Sequence, residues 1–86
     1  MKVYIVLGHY EDNDNSFAMV GQYGVYSTLE NAKIELENIK EETITDWKNE
    51  YDEEVEITVS QDERHLIIEN DYDCVWEFEI IEREVR

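Results

Sequence analysis

Carboxylates dominate the side chains of this sequence that could do chemistry. Twenty-three Asp and Glu stand against seven Lys and Arg, a formal charge of −16 over 86 residues. The other reactive groups are His9, His65, the single cysteine Cys74 and six tyrosines. Asp12-Asn13-Asp14-Asn15-Ser16 opens with the alternating oxygen donors of a calcium loop. Such a loop continues with a glycine and ends on a bidentate Glu, where this chain has Phe17 and Tyr23. The segment reads as a turn-rich hairpin tip, and no metal site is expected.

Cys74 alternates in phase with Trp76 and Phe78, which marks it as a small core residue and not a nucleophile. Neither histidine has a nucleophile signature beside it. Carboxylates are so abundant that any two fall at acid–base spacing by chance. Gly21-Gln22-Tyr23-Gly24 lacks the Lys, the Ser/Thr and the following helix of a phosphate loop. Its glycines imply a bulge or a close backbone approach instead. The sequence predicts no catalytic residue, no cofactor and no enzyme.

What remains is electrostatic. Residues 44–86 hold 15 acids and 4 bases, against 8 and 3 in residues 1–43. Glu54 and Glu56 are expected to point one way along a strand, and Glu77 and Glu79 along another. Same-side strand residues lie ~6.7 Å apart, and a nucleic-acid strand places a phosphate every ~3.4 Å of axis. Two such strands in one sheet would approach that charge density, and the sequence leaves the sheet order open. Glu69, Asp71 and Asp73 extend the field, and Tyr72 between two acids is a candidate interface anchor. The expected partner-binding residues are therefore Glu54, Glu56, Glu69, Asp71, Tyr72, Asp73, Glu77 and Glu79. Glu50, Asp52, Glu53 and Glu54 also crowd a predicted helix C-terminus. Each anion placed against the helix dipole there costs about 0.3–1 kcal/mol at low salt.

These residues need elements to position them. Residues 2–8 read as a strand with two apolar faces, Val3, Ile5 and Leu7 against Tyr4 and Val6, which suits a central position. Phe17 to Tyr26 is a second strand, forming an antiparallel hairpin with the first. Ser27-Thr28-Leu29-Glu30 fits a capping box with Ser27 as N-cap. Leu29, Ala32, Leu36, Ile39, Thr43, Trp47 and Tyr51 share one helical face, predicting a helix over about 28–50 with Ile34 exposed. Three more strands follow: Val55, Ile57 and Val59 in the third, Arg64 to Glu69, and Cys74 to Glu82. The order β-β-α-β-β-β makes residues 1–86 a single α+β domain, an antiparallel or mixed sheet with one helix on one face.

A lone cysteine makes no internal disulfide. The apolar start is cut short by Gly8-His9-Tyr10, at about half the length of an export signal. No apolar run approaches the roughly 18 residues of a membrane span. The expectation is a cytoplasmic protein that binds neither membrane nor nucleic acid directly, because both would meet a negative field.

Val3-Tyr4-Ile5-Val6-Leu7-Gly8, followed by Val25-Tyr26-Ser27-Thr28-Leu29-Glu30-Asn31-Ala32, resembles short proteins of phages and mobile elements. In size and charge the whole chain is similar to the small acidic inhibitors that phages use against host defence, including DNA mimics of the anti-restriction and anti-CRISPR kind. That resemblance implies a non-catalytic inhibitor docking on the basic nucleic-acid-binding surface of a restriction enzyme or CRISPR-associated nuclease. It rests on charge and length, so no family residue maps onto a position here. An immunity or antitoxin protein that neutralises a basic nuclease toxin fits the same composition, as does a small phage assembly protein. Self-repulsion at −16 favours a monomer over a dimer.

Overall fold

The first strand organises the sheet. β1 (Lys2–Glu11) places Val3, Ile5 and Leu7 on one face and Tyr4, Val6 and Gly8 on the other, so it needs neighbours on both sides. In the computed structural model, which describes residues 1–11, 18–51 and 54–85, it has them. β1 lies between β2 (Ala18–Tyr26) and β5 (Val75–Glu84). β4 (His65–Asn70) pairs with the other side of β5, and β3 (Ile57–Gln61) forms the edge. The order is β2-β1-β5-β4-β3 and every pairing is antiparallel. With the helix α1 (Leu29–Glu50) across one face, the fold is α+β in the predicted element order. The Asp12–Ser16 segment and the acids Asp52 and Glu53 lie outside the described residues.

The helix forms where its apolar stripe requires. Ala32, Leu36, Ile39 and Trp47 are buried on the sheet, with Leu29 and Tyr51 packed at its ends, while Ile34 is 58% exposed. Below them lie Val6, Leu66, Ile68, Phe78 and Ile80. The N-cap is Thr28, one residue later than the capping-box pattern implies. Its backbone is extended, and its hydroxyl accepts the Asn31 N–H at 3.1 Å. Both Ser27 and Thr28 suit a cap, so backbone geometry decides between them. None of the described helices is long and apolar enough to cross a membrane.

Two departures matter for function. The third strand starts late: Val55 is buried, but pairing begins at Ile57, opposite Asn70. Glu54 and Glu56 therefore precede β3, whose own sequence, Ile-Thr-Val-Ser-Gln, is uncharged. β4 also separates β3 from β5, so the sheet order, which the sequence left open, keeps Glu54 and Glu56 away from the row of Glu77 and Glu79. The second is the direction of the Tyr23 ring, within the bulge that Gly21 and Gly24 implied. The β1–β2 register slips between Val6 and Leu7, opposite Gly24 and Gln22. Strict alternation would put Tyr23 on the face of Val25. The extra residue turns its ring to the helix side, edge-on to Phe78 at 5.4 Å and to Trp76 at 6.1 Å.

Candidate functional site

Charge in this fold separates along the strand direction. α1 begins just after β2 ends and returns about 33 Å along the sheet at 1.5 Å per residue. Its N-terminus thus shares one end of the sheet with residues 1–2, 61–64 and 82–84, and its C-terminus shares the other with the β4–β5 turn. At the first end, acids and bases neutralise one another. Lys2 and Arg64 both reach Glu82, at 3.4 and 3.7 Å, the N-terminal amine reaches Glu84 at 3.1 Å, and Lys33 approaches Glu63 at 4.0 Å. These exposed pairs contribute little stability, but they cancel charge. Lys40 sits between Glu37 and Gln61 in the same way, and its ammonium and the Gln61 amide hold the Glu37 carboxyl below the usual carboxylate range.

At the opposite end stand Glu11, Asp46, Glu50, Glu54, Glu56, Glu69, Asp71 and Asp73. Lys48 and the His9 imidazole are the basic side chains there among the described residues. The helix C-terminus adds its own partial negative charge. α1 does run to Glu50, with Trp47 buried and the Tyr51 N–H closing on the Trp47 carbonyl at 2.9 Å.

Six of the eight sequence-predicted residues stand at this end, five of them in its turns and Glu69 on the sheet face. Asp71 accepts the Glu56 N–H at 3.3 Å and donates its own N–H to the Glu56 carbonyl at 3.1 Å, extending the β3–β4 pairing by one step. Asp73 closes the turn with φ 63°. The turn is held from inside by buried Asn70, whose side-chain oxygen accepts the N–H groups of Tyr72 and Cys74 at 2.9 and 3.1 Å. Tyr72 stacks on Tyr51 at 4.3 Å and stays 43% exposed, while Glu54 lies exposed in the turn before β3. Tyr51 points inward, bonding to the buried Cys74 sulfur at 3.3 Å. That bond, burial and the nearby Glu50 push its phenol up to about 12.

Glu69 and the other two project from the sheet face that α1 leaves uncovered. Glu69 faces out between Thr58 and Val75 on the flanking strands. Glu77, opposite His9 and Ile67, has its carboxylate 3.2 Å from His65 Nε2. Glu79 lies between Leu7 and His65. Ile5, Ile67 and Ile81 share this face, so it is a mixed surface and not a row of charges.

A cavity among the described residues lies elsewhere, on the helix side, and sequence reasoning missed it. A half-open groove of about 370 Å³ separates the second half of α1 from β1, β2 and β5. Its floor is aromatic: Tyr10 against Trp76 at 4.8 Å, Trp76 stacked on Phe78 at 5.1 Å, and Tyr23 edge-on to both. Trp47 closes the helix side. Its rim is acidic, formed by Glu35, Glu42, Asp46 and Glu50. Glu35 accepts the Tyr26 hydroxyl, and burial together with this carboxylate pushes the Tyr26 phenol up. No ion pair joins Glu42, Asp46 or Glu50 to a basic side chain among the described residues. Comparison with protein-family models, characterised proteins and solved structures finds no match. Function must come from the geometry.

One signal for the groove was present in the sequence. On a wheel of about 100° per residue, Glu35, Glu42, Asp46 and Glu50 fall on one side of Leu36, and Lys33, Lys40 and Lys48 on the other. Glu42–Asp46 and Asp46–Glu50 are like-charge pairs four residues apart, each destabilising the helix by about 0.2–0.5 kcal/mol. For Tyr23 the flanking glycines implied a bulge, which the register slip bears out, but not the side to which its ring turns. Among the described residues no three His, Cys, Asp or Glu side chains are grouped to hold a metal ion.

Proposed function

We propose that this protein is a non-catalytic acidic inhibitor that docks its helix C-terminal end onto the basic nucleic-acid-binding surface of another protein and competes there with DNA or RNA. The observation behind this reading is the separation of charge along the sheet. A molecule of net charge −16, most of whose described Lys and Arg side chains gather at one end, approaches a positive surface with the other end forward. Such a field accelerates encounter and orients it. Glu56, Asp71 and Asp73, with Tyr72 among them, would form the leading edge. Glu69, Glu77 and Glu79 contribute from the flank.

The resemblance to small anti-defence inhibitors makes restriction enzymes and CRISPR-associated nucleases the targets to try first. A basic nuclease toxin offers the same kind of surface and belongs in the same panel. The test is DNA cleavage by each purified nuclease with the protein added, repeated between about 50 and about 300 mM salt, where screening of exposed charge strengthens. Inhibition should weaken steeply with salt and with added substrate. Glu56→Lys with Asp73→Lys should abolish it, while Glu63→Lys at the other end should not. Inhibition that ignores salt, or equal sensitivity to reversal at either end, overturns the reading.

A further inference from the structure

Resting on the reading of the acidic end as the docking end, we propose that the groove between α1 and the sheet receives an arginine side chain of the basic partner.

Two independent features converge on a guanidinium. The floor presents Trp76, Tyr10 and Tyr23 around one opening. Aromatic faces attract cations through the ring quadrupole, Trp most strongly and Arg most often among side chains. The rim presents Glu42, Asp46 and Glu50 on consecutive turns of one helix flank, and no lysine shares that flank. A planar guanidinium can lie against the rings while its N–H fork bonds a carboxylate at the edge, geometry that a lysine ammonium cannot reproduce. The bound cation would also relieve the repulsion among the three rim acids. At about 370 Å³ the groove has room for the head group and its methylene stem.

The groove exists because the sequence keeps a side chain out of its floor. A Cβ on Gly8 would collide with Tyr23 and come within 2.8 Å of Phe78. Glycine there lets the Tyr23 ring, re-aimed by the bulge, lie flat enough on the sheet to form one wall. Trp76 and Tyr10, directly opposite each other on β5 and β1, form the floor beside it. Trp47 anchors the helix above.

The two tryptophans of the chain, Trp47 and Trp76, both line the groove, so their indole N–H signals in a ¹H–¹⁵N spectrum report on it alone. The probe is N-acetyl-arginine amide, titrated into the full chain at low salt beside N-acetyl-lysine amide and N-acetyl-citrulline amide. The arginine amide should shift both indole signals saturably, and the neutral citrulline isostere should not. Glu42→Gln with Asp46→Asn, two exposed positions, should weaken binding about fivefold, the effect of two rim charges. Glu63→Gln with Glu84→Gln removes the same charge from the opposite end and should leave it unchanged. Equal shifts from citrulline amide overturn the proposal, as does binding of lysine amide as tight as that of arginine amide. Indifference to the rim variant does so too. The titration uses no partner: its failure leaves the docking end intact, and failure of the nuclease assays leaves the groove result standing.

Discussion

Gly8→Ala tests the packing on which the groove depends. Gly8 is buried in β1, and an added Cβ would meet Phe78 Cε1 at 2.8 Å and Cδ1 at 2.9 Å, inside the 3.0 Å that real Cβ atoms essentially never cross, with Tyr23 closer still. Phe78 is 1% exposed and has nowhere to go; Tyr23 is 39% exposed and can swing out. The substitution should therefore expel the Tyr23 ring. Overpacking of this kind costs about 1–3 kcal/mol. Replacing glycine in a strand returns about 0.5–1 kcal/mol. The net loss lies between about 0 and 2.5 kcal/mol and centres on about 1 kcal/mol, which for a domain of this size lowers Tm by roughly 4–8 °C. Far-UV circular dichroism melts of wild type, Gly8→Ala, Tyr23→Ala and the double variant complete a cycle. Because the closest part of the clash is with Tyr23 and only the Phe78 part survives its removal, the double variant should be more stable than the two single losses predict, by about 0.5–1 kcal/mol. A Gly8→Ala melt indistinguishable from wild type, or a cycle with no coupling, would refute the packing argument.

Three other predictions follow from the turn and the inward tyrosine. Asn70→Ala strips the buried acceptor from two backbone N–H groups of the β4–β5 turn and should cost about 1–3 kcal/mol in urea unfolding; a loss too small to resolve would mean that the turn does not depend on it. Asp73 has φ 63°, so Asp73→Gly should be neutral or stabilising by up to about 1 kcal/mol, whereas Asp73→Val should be clearly destabilising; thermal melts in the opposite order would contradict the backbone assignment. The Tyr51 phenol is held up to about 12 from 10.0. A group whose folded value is raised gives its full stability below the unfolded value, and loses it as pH climbs through the folded one. Stability should thus fall between pH 10.0 and about 12, and Tyr51→Phe should flatten that fall. A phenolate band for Tyr51 appearing at the ordinary tyrosine pH would show that its hydroxyl is not held by Cys74.

Local periodicity made much of this fold legible. The stripe from Leu29 to Tyr51 determined the helix and its buried face, and the doubly apolar β1 announced an interior strand. Cys74 is buried as its phase with Phe78 required, and Ile34 is exposed as its angle required. Elements whose ends depend on a distant partner were less legible. Val55 alternates with Ile57 like a strand residue, yet pairing begins only opposite Asn70, and nothing within residues 54–61 encodes that partner.

The site divides in the same way. Glu56, Asp71, Tyr72 and Asp73 could be named from the sequence because turn chemistry and exposed acids are local properties. Their meeting with the C-terminus of α1 could not, since it needs the antiparallel return of the helix over the sheet. The groove was the least accessible feature. Tyr10, Tyr23, Trp47 and Trp76 come from four elements, and one register slip turns Tyr23 onto the helix side. The sequence by itself determined the sign and amount of charge, the helix and the alternation of the strands, because these follow from composition and from neighbours along the chain. Tertiary structure alone decided where charge accumulates and where aromatic rings leave a gap, because fields and packing sum over distance in space, and strand order sets that distance.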